Sequence, residues 1–402
     1  MSSELANSLN PHIDIFQDLK ELYHCKATGA VTIRTSLLHG FPHDPKIHQY
    51  IYFDVRSNTR KDERSCNANS TINSLGYSPI PLQEYLQFIE HIVTAPEAKG
   101  MTKPFIISVT GTAEEIVKCH ELISECSKRL SHRLLMEINL SCPNIPNKPP
   151  PAYNSLSLQE YLFALQRAQV LKPSAPNVLV GIKTPPYTYH DQFKGLLDAL
   201  TTTSRGGLRC PVDFITATNT LGNCLIMSES DEVMAPSGQP ESYMPAIANA
   251  QDTGLGGLGG AVIHSLALGN VKTIRTMLDH NPQLKHIGII GVGGVSDCAS
   301  YFRFKSIGAS AVAIGTALGR EGIDVFQKIL NEVETLSRFA NLGFNSGPNN
   351  TGTERTQQHS FAPMVNHKDI DGYDQALESV ERGKQMMEDQ KEAAAAEDSG
   401  ID

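Results

Sequence analysis

Seven short apolar runs recur along the chain, with helix-spaced segments between them. The runs cover residues 29–33, 104–109, 134–140, 178–182, 212–216, 287–291 and 311–315. Continuous apolar runs that alternate with helices mark parallel strands covered on both faces. Segments 13–25, 113–130, 158–170, 192–200, 266–279 and 299–306 place apolar residues at helical spacing around and between the runs. The expected fold is α/β, a TIM-type (β/α)8 barrel. A closed barrel of this type needs eight strands. The pattern supplies seven core strands, and the chain opens on a helix, so the barrel is expected to be incomplete at its first strand. A doubly wound open sheet would show the same alternation. The barrel is preferred because polar residues follow nearly every run: Arg34, Cys142, Lys183, Asn219, Gly293-Gly294 and Gly315-Thr316. Barrels build their active sites from such strand ends.

Two gaps between runs are long. Residues 36–103 hold a charged stretch, 56–69, and then Thr71-Ile72-Asn73-Ser74-Leu75-Gly76. Residues 219–256 hold a lobe at 227–249 that is expected to be flexible. The composition turns polar near 345. The expected division is a barrel over 1–344 and a mostly disordered tail over 345–402, with a helix at 374–396.

Composition narrows the function classes. Hydrophobic residues make up 40% of the chain, enough for a large core. Net charge is −9 and the pI about 5.9, without a basic block, so nucleic acid is not an expected partner. The chain lacks the eighteen-residue apolar run that a spanning helix needs. Residues 1–10 show neither a basic start nor an apolar stretch, so no signal peptide is expected. The eight cysteines form no C-x-x-C pair, which argues against zinc or a local disulfide and for reduced thiols in the cytoplasm.

The most informative segment is Glu137-Ile138-Asn139-Leu140-Ser141-Cys142-Pro143-Asn144. A buried strand ends in a thiol, a proline and amides at Asn139, Asn144 and Asn147. Buried amides must find hydrogen-bond partners, and a flat polar ligand beside the thiol would supply them. Cys142 reads as an inert buried thiol or as a base that strengthens at alkaline pH; no histidine stands near it in sequence to make it a nucleophile. Lys183 closes its strand, either as a snorkelling surface lysine or as a charge that offsets an anion. Gly293-Gly294 and Gly315-Thr316 follow the last two runs, where barrels hold phosphate, and 256–260 could close over them. Ordinary tight turns are the alternative. Asn73, Asn219 and Thr220 add polar groups at the same mouth, or serve as turn and capping residues. His264, His39 and His43 are expected to be ordinary surface or core residues.

The stretch from Asn139 to Pro149 resembles the flavin-loop motif of class 1 dihydroorotate dehydrogenases, and is most similar to the fumarate-linked A type. The resemblance runs from about Ile13 to Leu330. It includes residues 71–76, Lys183 with Pro185-Pro186, residues 219–223, the 256–260 glycines, 290–294 and 314–318. It implies an FMN-bearing oxidoreductase of pyrimidine (UMP) biosynthesis that converts dihydroorotate to orotate, passes electrons to fumarate and forms a homodimer. Carried over residue by residue, Cys142 is the base that takes the substrate's C5 proton as hydride leaves C6. Arg34, Asn73, Leu75, Gly76, Asn139, Asn144, Asn219 and Thr220 would bind substrate. Thr35, Asn139, Lys183, Gly260, Gly293, Gly294, Gly315 and Thr316 would bind FMN. A cysteine at the base position separates the chain from the quinone-linked class, which uses serine.

Two features depart from the family. Its first strand, with an Asn-Ala-Ser-Gly loop against the flavin, has no counterpart before Ile13, which a mis-called start would explain. Arg34 stands where the family has lysine, and a guanidinium is planar and bulkier. These departures motivate the alternative of a non-catalytic or FMN-deficient barrel that binds ligand or acts as a scaffold. An aldolase or isomerase barrel is a third reading, but it would need a carboxylate or Schiff-base lysine at a strand end.

Overall fold

The computed structural model describes residues 11–61, 65, 67–145, 150–171, 178–229 and 243–343. Each of the seven apolar runs forms a strand: Val31–Thr32, Phe105–Val109, Leu134–Asn139, Leu179–Thr184, Phe214–Ala217, Gly288–Val292 and Ala311–Ala313. They pair in parallel in that order, as one sheet. A doubly wound sheet reverses its strand order at a switch point. Here spatial order follows chain order throughout, so the sheet is a curled, incomplete barrel. Its end strands, Val31–Thr32 and Ala311–Ala313, do not pair with each other.

The six expected helices are present within a few residues of their predicted bounds. Ala113–Leu130 shows why such a segment is legible. Thr112 and Glu115 form a reciprocal capping box at its start, and Ser131 ends it in the left-handed conformation. Ile116, Cys119 and Ile123 face inward, at helical spacing. The shared core buries Phe105, Ile107, Met136, Ile138, Val180, Ile182, Ile215 and Ile289 almost completely. Each such side chain contributes about 1.5–3 kcal/mol by leaving water.

One carboxylate stands inside this core. Glu137 is 3% exposed. It accepts from Ser108 Oγ at 3.0 Å and from Thr216 Oγ1 at 2.6 Å. Ser108 Oγ also pairs with Thr35 Oγ1 at 3.0 Å. Glu137→Ala strands both hydroxyls and is expected to lower stability by about 2–4 kcal/mol. A denaturant midpoint measures it, and Glu137→Gln should recover part of the loss.

The long gap after residue 36 contains structure that the pattern reading did not predict. Tyr50–Asp54, Thr59–Lys61 and Ser70–Asn73 are antiparallel strands, and Leu82–Thr94 is a helix. Gly256–Gly260, expected from sequence to close over the phosphate glycines or to form tight turns, is a strand between Ser70–Asn73 and Leu221–Cys224. The correction has a physical basis. Backbone pairing needs no side chains, and glycine lets neighbours come close: a Cβ on Gly257 would lie 2.3 Å from Thr220 Oγ1. This five-stranded sheet has a small core of its own, with Ile51, Phe53, Ile72, Ile226 and Ile247. Of the expected flexible lobe, Met227–Glu229 and Tyr243–Pro245 form an antiparallel ribbon, and 230–242 lie outside the described residues. The tail over 345–402 and its expected helix also lie outside them, as does Asn147.

Candidate active site

The antiparallel sheet meets the strand ends of the half-barrel, and a cleft lies between them. Ten residues named from sequence line it: Asn73, Leu75, Lys183, Asn219, Thr220, Gly260, Gly293, Gly294, Gly315 and Thr316. Its charged lining residues are Lys183 and Arg320, and no carboxylate lines it among the described residues. Such a cleft favours an anion. The Lys183 ammonium makes no hydrogen bond or ion pair with the described residues, so it is available to a ligand.

One end of the cleft is built from backbone. Gly293 has φ 138° and Gly294 φ 68°, and Gly260 has φ 86°. A Cβ on Gly294 would lie 2.9 Å from the Gly260 carbonyl oxygen. Two loops therefore meet where only glycine fits. Thr316 Oγ1 closes this end at 3.1 Å from Thr71 Oγ1. His264, expected to be an ordinary residue, braces the loop: Nδ1 donates to the Gly293 carbonyl at 2.8 Å, and Nε2 accepts from Arg303 at 3.3 Å.

Six other candidates stand off the cleft wall, and hydrogen bonds join Asn139, Asn144 and, through Asn139, Thr35 to it. Asn219 Nδ2 donates to Asn139 Oδ1 at 3.2 Å and to Ser141 Oγ at 3.0 Å. Asn139 Nδ2 donates to Thr35 Oγ1 at 2.9 Å, which continues the chain from Glu137 through Ser108. Asn144 Nδ2 donates to Asn73 Oδ1 at 3.0 Å and to the Leu75 carbonyl at 2.9 Å. The amides thus satisfy one another in large part, where the sequence reading gave that role to a ligand. Arg34 does not line the cleft. It is buried, and one terminal nitrogen donates to the Gly76 carbonyl at 3.3 Å. Its Nε has no partner among the described residues. Burial, and then the Arg34 charge, hold His43 below the usual imidazole range. Cys142 is half-buried and lines a second, smaller cavity beside Asn139. The adjoining Pro143 packs against Gly222 and Gly257 of the covering sheet.

The profile of the dihydroorotate dehydrogenase family matches residues 63–336. A Streptococcus agalactiae protein described as a putative dihydroorotate dehydrogenase A (fumarate) is 30% identical over 279 residues, 69% of this chain and 75% of its own. A probable dihydroorotate dehydrogenase A (fumarate) of Streptococcus pneumoniae is 30% identical over 269 residues, covering 66% of this chain and 72% of its own. A putative Streptococcus pyogenes relative with the same description is 28% identical over 338 residues, 83% of this chain and 88% of its own. The chain belongs to the dihydroorotate dehydrogenase family.

Within this family framework the cleft also shows what the sequence reading missed. Asn69, Thr71, Thr218, Ser296 and Arg320 line it as well. Thr218 Oγ1 and Asn69 Oδ1 are buried without a hydrogen-bond partner among the described residues. Buried polar atoms seldom stay unpaired, so both fit a cleft that takes a hydrogen-bonding ligand. Thr218 was within reach of the motif reading, one residue before Asn219. Arg320 was within reach too, one helical turn after Thr316 in the helix Thr316–Glu321.

Proposed function

We propose that this chain oxidises dihydroorotate to orotate with FMN in pyrimidine biosynthesis, in the cytoplasm, as a homodimer that uses fumarate as electron acceptor. The observation that carries this reading is the cleft itself. A cation, amides and a glycine cradle meet at strand ends of a family member, around buried polar atoms that lack partners. Those residues fit FMN. Gly260, Gly293, Gly294, Gly315 and Thr316 would hold its phosphate through backbone and hydroxyl groups, with Arg320 nearby. When bound, FMN supplies the two-electron acceptor. The fumarate assignment rests on the printed names of the relatives.

Each remaining part of the chemistry belongs to a side chain. Asn73, Asn144, Asn219 and Thr220 orient the pyrimidine ring, and their mutual hydrogen bonds fix them beforehand. Asn139 is held through Thr35 and Ser108 by the buried Glu137. The ionised Cys142 thiol takes the C5 proton. Lys183 offsets the negative charge that builds up on the ring edge during the step. Lys183→Met should therefore slow flavin reduction by about 10–100-fold with little change in substrate binding. Stopped-flow bleaching of flavin absorbance reads this, and an unchanged rate would remove the electrostatic role. Exposed Leu225, Met227, Tyr243 and Met244 sit on or beside the ribbon and offer an apolar face to a second copy.

The open edge between Val31–Thr32 and Ala311–Ala313 favours a second reading, an FMN-deficient barrel that binds ligand without turnover. One titration separates the two. Purified chain mixed with FMN should turn yellow, and anaerobic dihydroorotate should bleach it. A chain that takes up no FMN supports the second reading. The membrane is not an expected partner, and no helix of the described residues is long and apolar enough to cross one.

A further inference from the structure

The second cavity lies where two loops are clamped together. Asn144 bonds to Asn73 and to Leu75, and this tie holds the loop that carries Cys142 against the loop that carries Tyr77. Cys142, Tyr77, Thr110, Asn139 and Tyr161 all face the cavity. No lysine, arginine, histidine or carboxylate lines it among the described residues. Only the thiolate can act as base, and a hydrogen-bond donor beside it favours that form. The hydroxyl-bearing side chains of Tyr77, Thr110 and Tyr161 line the same cavity. The Tyr161 hydroxyl already donates to the Gly111 carbonyl at 2.9 Å, and Glu114, Glu115 and Glu160 act on it from outside. Tyr77 differs. Burial, then the charge of the Cys142 thiolate, push its phenol far above the usual range, while Thr110 pulls the other way. Tyr77 therefore stays a protonated donor at neutral and moderately alkaline pH.

We propose that Tyr77 is a positioning residue for Cys142: its phenol donates a hydrogen bond to the thiolate and holds the sulfur, and Thr110 orients the phenol. The inference rests on the reading of Cys142 as the base. A hydrogen bond to the charged form favours that form, so the pair makes the base available at lower pH.

The test does not need turnover. The rate of Cys142 alkylation by iodoacetamide is followed against pH, resolved by peptide mass spectrometry, on the full chain with and without FMN. Tyr77→Phe should raise the midpoint by about one pH unit, a roughly tenfold slower alkylation below both midpoints. Thr110→Val should shift it the same way by less, and carries the test if Tyr77→Phe does not fold. Tyr161→Phe should leave the midpoint in place. A Tyr77→Phe chain that titrates like its parent overturns the pairing, as does an equal shift from Tyr161→Phe. Dihydroorotate oxidation measured on the same samples separates the two layers. Turnover without a Tyr77→Phe shift sinks the pairing alone. A shift without turnover in the parent keeps the pairing and sinks the role of Cys142 as base.

Discussion

Cys142→Ala removes dihydroorotate oxidation and leaves FMN bound: flavin reduction should fall by about 10²–10⁴-fold, the usual contribution of a positioned acid or base. The size follows from what else the site holds. The cleft is lined by no histidine and no carboxylate among the described residues, so nothing stands ready to take over the proton. FMN binding should survive because Cys142 borders the side cavity, away from the glycine cradle. The parent's rate should rise with pH as the thiol ionises. Cys142→Ser keeps a weaker base and should restore part of the rate at high pH only. Anaerobic mixing with dihydroorotate, followed by flavin absorbance, gives all of these. An alanine variant that bleaches at the parent's rate would show that the proton leaves by another route.

The half-barrel was legible because its signals are local. Runs such as Gly288–Val292 are uniformly apolar, and Thr112 and Glu115 announce the helix between two others. The open edge was legible too, since counting strands needs no tertiary information. The covering sheet was not, although Tyr50–Asp54 is rich in β-formers. Its partner Gly256–Gly260 has no side chain on four of its five residues, so the pairing that defines it leaves almost no pattern. The helix Leu82–Thr94 could have been read, because Leu82, Tyr85, Leu86, Ile89 and Ile92 recur at helical spacing. At the site, residue types were legible and their partners were not. Asn139 and Asn219 lie eighty residues apart, and only the order of strands in the sheet shows that Asn219 donates to Asn139. Arg34 shows the reverse: its position in the motif predicted the cleft, and its long planar head went instead to the Gly76 carbonyl.

Gly294→Ala should weaken FMN binding by about 100-fold or more, close to 3 kcal/mol. Gly294 has φ 68°, where a side chain costs roughly 1–2 kcal/mol. The added Cβ would also lie 2.8 Å from His264 Cβ, 2.9 Å from the Gly260 oxygen and 3.1 Å from Ala261 Cα. None of these is the far end of a flexible side chain, so the loops must part. The cradle they form would open, and the loss should fall on the phosphate. Parent chain is expected to prefer FMN to riboflavin, and the variant should bind both weakly and alike. Gly322→Ala is the control, because Gly322 has φ 67° but open space around it. It too is strained by a side chain at positive φ but does not line the cleft, so it should lower stability and leave FMN affinity unchanged. Fluorescence titration with the two flavins measures each variant. If Gly294→Ala still distinguishes FMN from riboflavin as the parent does, these glycines are ordinary turns and the phosphate is held elsewhere.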